Sequence, residues 1–201
     1  MTIYDLKPLF QNFLRPLCVL MAKNGIRPNH ITLSALMLSF LAGMTVLTFG
    51  RIRQTLFLIP LVLFVRMALN AIDGMLAREH GMKTPLGAIL NELGDVVSDT
   101  VLYLPFAVIP GFSPYLLTLA VIAAVISEMS GVLAVMIGAG RRYDGPMGKS
   151  DRAFVFGVIA LLLAIGVPAG LWADIIVFIV LILSVLTVVN RSRQALKEIG
   201  T

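Results

Sequence analysis

Asn70, Asp73, Asn91 and Asp95 punctuate the stretch NAIDGMLAREHGMKTPLGAILNELGD, residues 70–95, which is otherwise dominated by apolar and small side chains. Two carboxylates and two amides offer oxygen ligands to a hard divalent cation, and a carboxylate can also take a proton from a hydroxyl. Arg66, Asn70, Asp73 and Ala77 step by four, three and four, and Asn91, Asp95 and Asp99 step by four, so each set forms one stripe if its segment is helical. The loop between the segments is short, which makes them antiparallel neighbours, with Asp95 about one turn deeper than Asp73 and Asn91. Facing stripes of this kind can chelate Mg2+ or Mn2+. They can equally be polar glue, with Arg66 paired to Asp73, Glu92 or Glu128 and the asparagines bridging helices. Gly74, Ala77 and Gly87 lie at the same loop end, where missing side chains admit a ligand or permit tight packing.

The elements that must carry these residues follow from composition. Of 201 residues 58% are hydrophobic and 13% charged, and the mean hydropathy is +0.94, which excludes an ordinary soluble domain. Lipid forces each backbone to satisfy itself, so the expected class is all-α. Apolar runs predict six membrane spans near 31–49, 55–76, 86–110, 115–138, 153–169 and 171–190. Residues 1–27 read as an amphipathic helix in the headgroup layer: Ile3, Leu6, Phe10, Phe13, Leu17 and Leu20 recur at helical steps, with Lys7, Gln11 and Arg15 on other faces. Pro8 and Pro16 are its expected break points. Residues 28–201 would form the bundle, and 1–201 a single domain.

Charge sets the expected orientation. Lys7, Arg15, Lys23, Arg27, Arg78, Lys83, Arg141, Arg142, Lys149, Arg152, Arg191, Arg193 and Lys197 fall on one side of six spans, and Arg51 and Arg53 on the other. Both termini are therefore expected in the cytoplasm. The net charge of +5 suits an anionic inner leaflet and is not read as nucleic-acid binding. Cys18 is the single cysteine, so no internal disulfide forms. His30 and His80 lack partners at zinc-ligand spacing and read as interfacial. Buried Arg66 is expected to meet Glu128 or Asp99, since an intramembrane carboxylate needs a partner.

The stretch resembles the signature of the CDP-alcohol phosphatidyltransferase family, D-x-x-D-G-x-x-A-R, eight residues, then G-x-x-x-D-x-x-x-D. Asn70, Asp73, Gly74, Ala77, Arg78, Gly87, Asn91 and Asp95 occupy its fixed positions with the spacing intact, and six of the eight match. RPNHITL at 27–33 is similar to the family's entry to its first span. The resemblance is strongest to bacterial inner-membrane members. It implies transfer of a phosphatidyl group from CDP-diacylglycerol to an alcohol, with release of CMP and dependence on Mg2+ or Mn2+. By the same resemblance Asp95 is the general base and Asp73, Asp95, Asn70 and Asn91 hold the metal. Gly74, Ala77, Arg78, Gly87, Asn29 and Thr32 receive the nucleotide, and Lys149 and Arg152 meet the acceptor or a phosphate. A homodimer through the later spans is also implied. Thr32 is alternatively a cap for the first span, and Lys149 and Arg152 alternatively topological charges.

Asn70 and Asn91 depart from the family pattern. Asp73 and Asp95 supply two negative charges where four carboxylates would match two divalent ions, so one ion is the natural electrostatic partner, and a second could enter with the donor's pyrophosphate or with Asp99 and Glu92 turned inward. Asn keeps a carbonyl oxygen but no charge. Members that use inositol phosphate commonly carry Arg after the last motif Asp, where this chain has Val96. Two rival readings remain: a catalytically idle membrane binding protein, and an ion-coupled transporter, whose repeated halves and broken helices are not evident.

Overall fold

The computed structural model describes residues 3–200, with side chains from Leu9 onward. Ile3, Leu6, Lys7 and Pro8 therefore have side chains outside the described residues. Seven α-helices follow one another: α1 Ile3–Lys23, α2 Pro28–Phe49, α3 Leu58–Glu79, α4 Pro85–Tyr103, α5 Pro114–Met136, α6 Lys149–Ala164 and α7 Leu171–Glu198. Short 3-10 turns at Arg53–Phe57 and Leu104–Val108 precede α3 and follow α4. No strand occurs among the described residues.

The helix starts are written locally. Pro28, Pro85 and Pro114 each open a helix, where the missing N–H costs nothing. Thr84 Oγ accepts from the Gly87 N–H at 2.9 Å, and Ser113 Oγ from the Leu116 N–H at 3.4 Å. At α2 the capping falls to His30, whose Nδ1 accepts from the Arg27 N–H at 3.3 Å. Thr32 is not that helix's cap. The predicted interruption of α1 is also overturned, because the helix runs through Pro16 on an exposed face. The hydrogen bond lost there is one that water can replace.

Four helical segments are long and apolar enough to cross a membrane: Pro28–Phe49, Arg53–Glu79, Pro114–Met136 and Leu171–Glu198. Six spans are expected from the sequence, and α4 and α6 fall outside this length and composition for two physical reasons. Glu92, Asp95 and Asp99 dilute the apolar character of α4. α6 has 16 residues, about 24 Å of rise against a hydrocarbon core of about 30 Å. Exposed Met37, Phe40, Leu41, Leu61, Phe64 and Met67 on α2 and α3 give these helices apolar outer faces, which lipid solvates and water does not.

The chain forms two compact units, Met1–Leu41 with Leu61–Ser98, and Ala42–Pro60 with Asp99–Thr201. In the first, Leu14 and Cys18 of α1, Ile31 of α2 and Ile72, Met75 and Leu76 of α3 make the core. Arg15 anchors α1 to the end of α3 through both oxygens of Glu79, at 3.1 and 3.2 Å. In the second unit α5 packs along α7, and Ala134 of α5, Ala139 of the segment after it and Ala195 of α7 form a small buried cluster. Tyr103 stacks on Phe156 with ring centroids 4.2 Å apart. The segment 137–148 is tied down within this unit: Arg142 N–H bonds the Gly131 carbonyl at 3.1 Å, Met147 N–H bonds Thr187 Oγ at 3.0 Å, and Gly140 N–H bonds Glu198 at 3.0 Å. Gly145, at φ 125°, lies so close to Thr187 that a Cβ would collide.

Candidate active site

The motif residues come together inside the first unit. α3 and α4 are joined by five residues, 80–84, and their polar stripes face each other. Asn70 Nδ2 of α3 donates to Asp95 Oδ1 of α4 at 3.0 Å, and Arg66 NH2 lies 3.4 Å from the same oxygen. Arg66 is 5% exposed, so the pair sits out of bulk solvent. Arg66, for which Glu128 or Asp99 is the expected partner, meets Asp95 on the facing stripe. Asp73, itself buried, accepts from Thr32 Oγ1 at 2.9 Å. Thr32 also points its methyl at Gly94, where a built Cβ would be 3.5 Å away. Thr32 of α2 therefore touches both α3 and α4 where their acids stand.

The small residues leave working space. A Cβ on Gly87 would come within 2.8 Å of Asn29 Oδ1, so Asn29 of α2 reaches across to the start of α4 only because position 87 is bare. A Cβ on Gly74 would lie 2.9 Å from Arg78 NH2, since the Arg78 guanidinium folds back over the turn before it. Arg78 is exposed and Ala77 partly buried, which puts an exposed cation beside the turn that carries Asp73 and Gly74. Asn91 is partly buried one turn before Asp95.

These donors fit a hard cation in kind. Carboxylate and amide oxygens are the ligands Mg2+ and Mn2+ take. Among the described residues no three His, Cys, Asp or Glu side chains gather at metal-holding range, so Asn70 or Asn91 oxygen, substrate oxygen or water must complete any coordination sphere. Asp99 belongs to the second unit and pairs with Arg152 at 3.2 Å.

The second unit holds a charged cluster that the sequence did not foretell. Glu128 of α5 receives Arg152 NH2 at 3.0 Å and Arg191 NH2 at 3.5 Å on Oε1, and Arg141 NH2 at 3.0 Å on Oε2. Arg152 and Arg191 are each 1% exposed. Arg152 also donates to Ser127 Oγ at 3.3 Å and the Met147 carbonyl at 3.1 Å, while Arg191 donates to the Ser127 and Asp144 carbonyls. Lys149 is partly buried at the start of α6. By sequence Arg141 and Arg191 count only as topological charges. The available signal was Glu128 itself, a carboxylate in an apolar helix that demands cationic partners.

The CDP-alcohol phosphatidyltransferase profile matches residues 26–190, and the chain belongs to that family. It is 47% identical over 197 residues to the inner membrane protein YnbA of Escherichia coli K12, covering 98% of this chain and 97% of that one. The fold is that of the phosphatidylinositol phosphate synthase PgsA1 of Mycobacterium tuberculosis. Its CDP-DAG-bound crystal structure superposes with TM-score 0.77 at 20% identity over 92% of this chain and 94% of that chain. The same enzyme in complex with manganese and citrate gives TM-score 0.76 at 20% identity, over 92% and 90% of the two chains.

Proposed function

We propose that this protein transfers a phosphatidyl group from CDP-diacylglycerol to an alcohol and releases CMP. The observation that carries the reading is the meeting of Asn70 with Asp95 and of Thr32 with Asp73, which gathers motif residues from three helices. The acceptor oxygen attacks the phosphorus bearing the diacylglycerol. The bond from that phosphorus to the bridging oxygen breaks, its electron pair leaves with CMP, and the hydroxyl proton passes to the Asp95 carboxylate. Arg66 and Asn70 hold that carboxylate in one orientation, and Thr32 does the same for Asp73. Asn29, Gly74, Ala77, Gly87 and Arg78 form the nucleotide's side of the site. Asp73 and Asp95, with Asn70 and Asn91 oxygens, would hold a divalent ion, which would supply charge stabilisation at the pyrophosphate. The reading takes Asn70 and Asn91 as compatible with turnover, with one ion resident and a second arriving, if at all, with the donor.

The protein works in the bacterial inner membrane as a homodimer with six membrane-crossing segments and both termini in the cytoplasm, a placement supported by the one-sided distribution of Lys and Arg. α1 lies in the headgroup layer, supported by Leu14 and Cys18 turning inward while Phe13 and Leu20 are exposed. The test is CMP release by purified protein given CDP-diacylglycerol, Mg2+ or Mn2+ and a panel of alcohols, with mass spectrometry of the lipid formed. A new phosphatidyl lipid that Asp95→Asn fails to make is the expected result. Ion-coupled uptake into liposomes without any CMP would replace the enzyme by a transporter.

A further inference from the structure

The turn Arg53–Phe57 packs against α6, and beside it the second unit holds a cavity of about 360 Å³. Buried Leu56, Ile109 and Leu163 and exposed Val167 are among its apolar lining, and Arg51 and Arg53 are its cations. Its lining includes no acid. Asp174, five residues past the cavity's Ala169, is engaged elsewhere, accepting from the Ser113 N–H at 2.8 Å. Among the described residues neither the Arg51 nor the Arg53 guanidinium makes a hydrogen bond or an ion pair. Arg53 nevertheless has a seat. A Cβ on Gly166 would lie 2.7 Å from Arg53 NH1, so the guanidinium rests against the turn after α6 because that position is bare. A cation just past α6 suits the helix's C-terminal carbonyls, but those are taken. The N–H groups of Ile165, Gly166 and Val167 bond the carbonyls of Leu161, Leu163 and Leu162 at 3.0, 3.1 and 3.0 Å. Two positive charges thus stand at an apolar cavity with nothing in the protein to neutralise them. The complement of that surface is an amphiphile with an anionic head.

We propose that this cavity seats one anionic phospholipid, its phosphate held by Arg51 and Arg53 and the start of its acyl chains lying against Leu56, Leu163 and Val167. Guanidinium groups bind phosphate oxygens through paired charge-assisted hydrogen bonds, and the volume is within the roughly 300–1,000 Å³ of small-ligand sites. Free phosphate shares the head's chemistry, but it leaves the apolar lining unused. Arg51 and Arg53 are also the cations that the one-sided charge count leaves on the far side of the spans, where positive charge opposes the retention bias. On the orientation proposed above the lipid belongs to the outer leaflet; the site itself depends neither on that orientation nor on the transfer reaction.

The test is native mass spectrometry of the full chain in detergent, titrated with phosphatidylglycerol or with phosphatidylcholine of the same acyl chains, together with thermal unfolding. Wild type is expected to retain one phosphatidylglycerol in preference to phosphatidylcholine and to melt higher in its presence. Arg51→Gln with Arg53→Gln removes both charges from exposed positions and is expected to bind that lipid about tenfold more weakly. Arg193→Gln with Lys197→Gln removes the same charge near the end of α7 and is expected to bind as wild type does. Val167→Trp, which fills the cavity and leaves both arginines, is expected to lose the preference as well. No preference in wild type, or equal weakening in the two double variants, overturns the site. Inorganic phosphate is the second probe. If phosphate alone raises the melting temperature of wild type and of Val167→Trp as much as phosphatidylglycerol raises that of wild type, the site takes a free anion and the lipid is overturned.

Discussion

Asn70 donates its side-chain amide to Asp95 Oδ1 across 3.0 Å, and this bond joins α3 to α4 at the centre of the motif. An aspartate at position 70 would face Asp95 oxygen to oxygen, an arrangement that two carboxylates tolerate only with a cation or a proton between them. The amide closes the same gap with a hydrogen bond.

Asn70→Asp, alone or with Asn91→Asp, should therefore exchange a hydrogen bond for a metal requirement. In chelator both variants should melt below wild type, and added Mg2+ or Mn2+ should raise their melting temperature more than it raises that of wild type. Thermal unfolding across a metal titration measures this; an equal response in all three proteins would remove Asn70 and Asn91 from the metal site.

Thr32 is the hydroxyl that Asp73 accepts from. Thr32→Val keeps the shape and deletes the donor, and a hydrogen bond to a charged group contributes about 1.5–3 kcal/mol. The variant should lose stability of that order and release CMP about tenfold more slowly or worse, with the loss in kcat if Thr32 orients Asp73 during the reaction. Unchanged kcat with a raised KM would instead mark Thr32 as a nucleotide contact.

Gly74→Ala and Gly87→Ala should differ. At position 74 the methyl meets the far end of the flexible Arg78 side chain, which can move aside. At position 87 it meets Asn29 Oδ1 at 2.8 Å and Thr84 Oγ at 3.0 Å, groups fixed at two helix starts. Steady-state kinetics with CDP-diacylglycerol should show a larger rise in KM for Gly87→Ala than for Gly74→Ala, with both proteins still folded by circular dichroism.

Arg142 lies 2.7 Å from Asp144 and holds its carboxyl below the usual carboxylate range, chiefly through that hydrogen bond. A depressed folded value means a contribution present above the unfolded value of about 3.9 and lost as pH falls through the folded one. Asp144→Asn should thus melt slightly below wild type at neutral pH, and the gap should close only in acid, below about pH 4. Melting curves of both proteins from pH 7 down to pH 3 check the sign.

Much of the helical layout was legible from hydropathy, because lipid leaves a backbone few alternatives. The facing of α3 and α4 was legible too, since Asn70, Asp73, Asn91 and Asp95 keep helical steps on either side of a short loop. Partner choice was not. Arg66 could reach several acids by sequence, and only the register of α4 against α3 selects Asp95. The gathering of Arg141, Arg152 and Arg191 on Glu128 joins residues 13, 24 and 63 positions away, a distance at which periodicity says nothing. The shortness of α6 was hidden by the apolar residues that continue past Ala164 through a turn at Gly166.

The stretch from Ile137 to Gly148 is stitched to α5 and α7 by backbone donors at residues 140, 142 and 147, and Gly145 nests against Thr187 without space for a side chain. A strap sewn down at so many points makes a poor flap. Whatever breathing lets a bulky lipid nucleotide in and its spent headgroup out has to be sought in other parts of the chain.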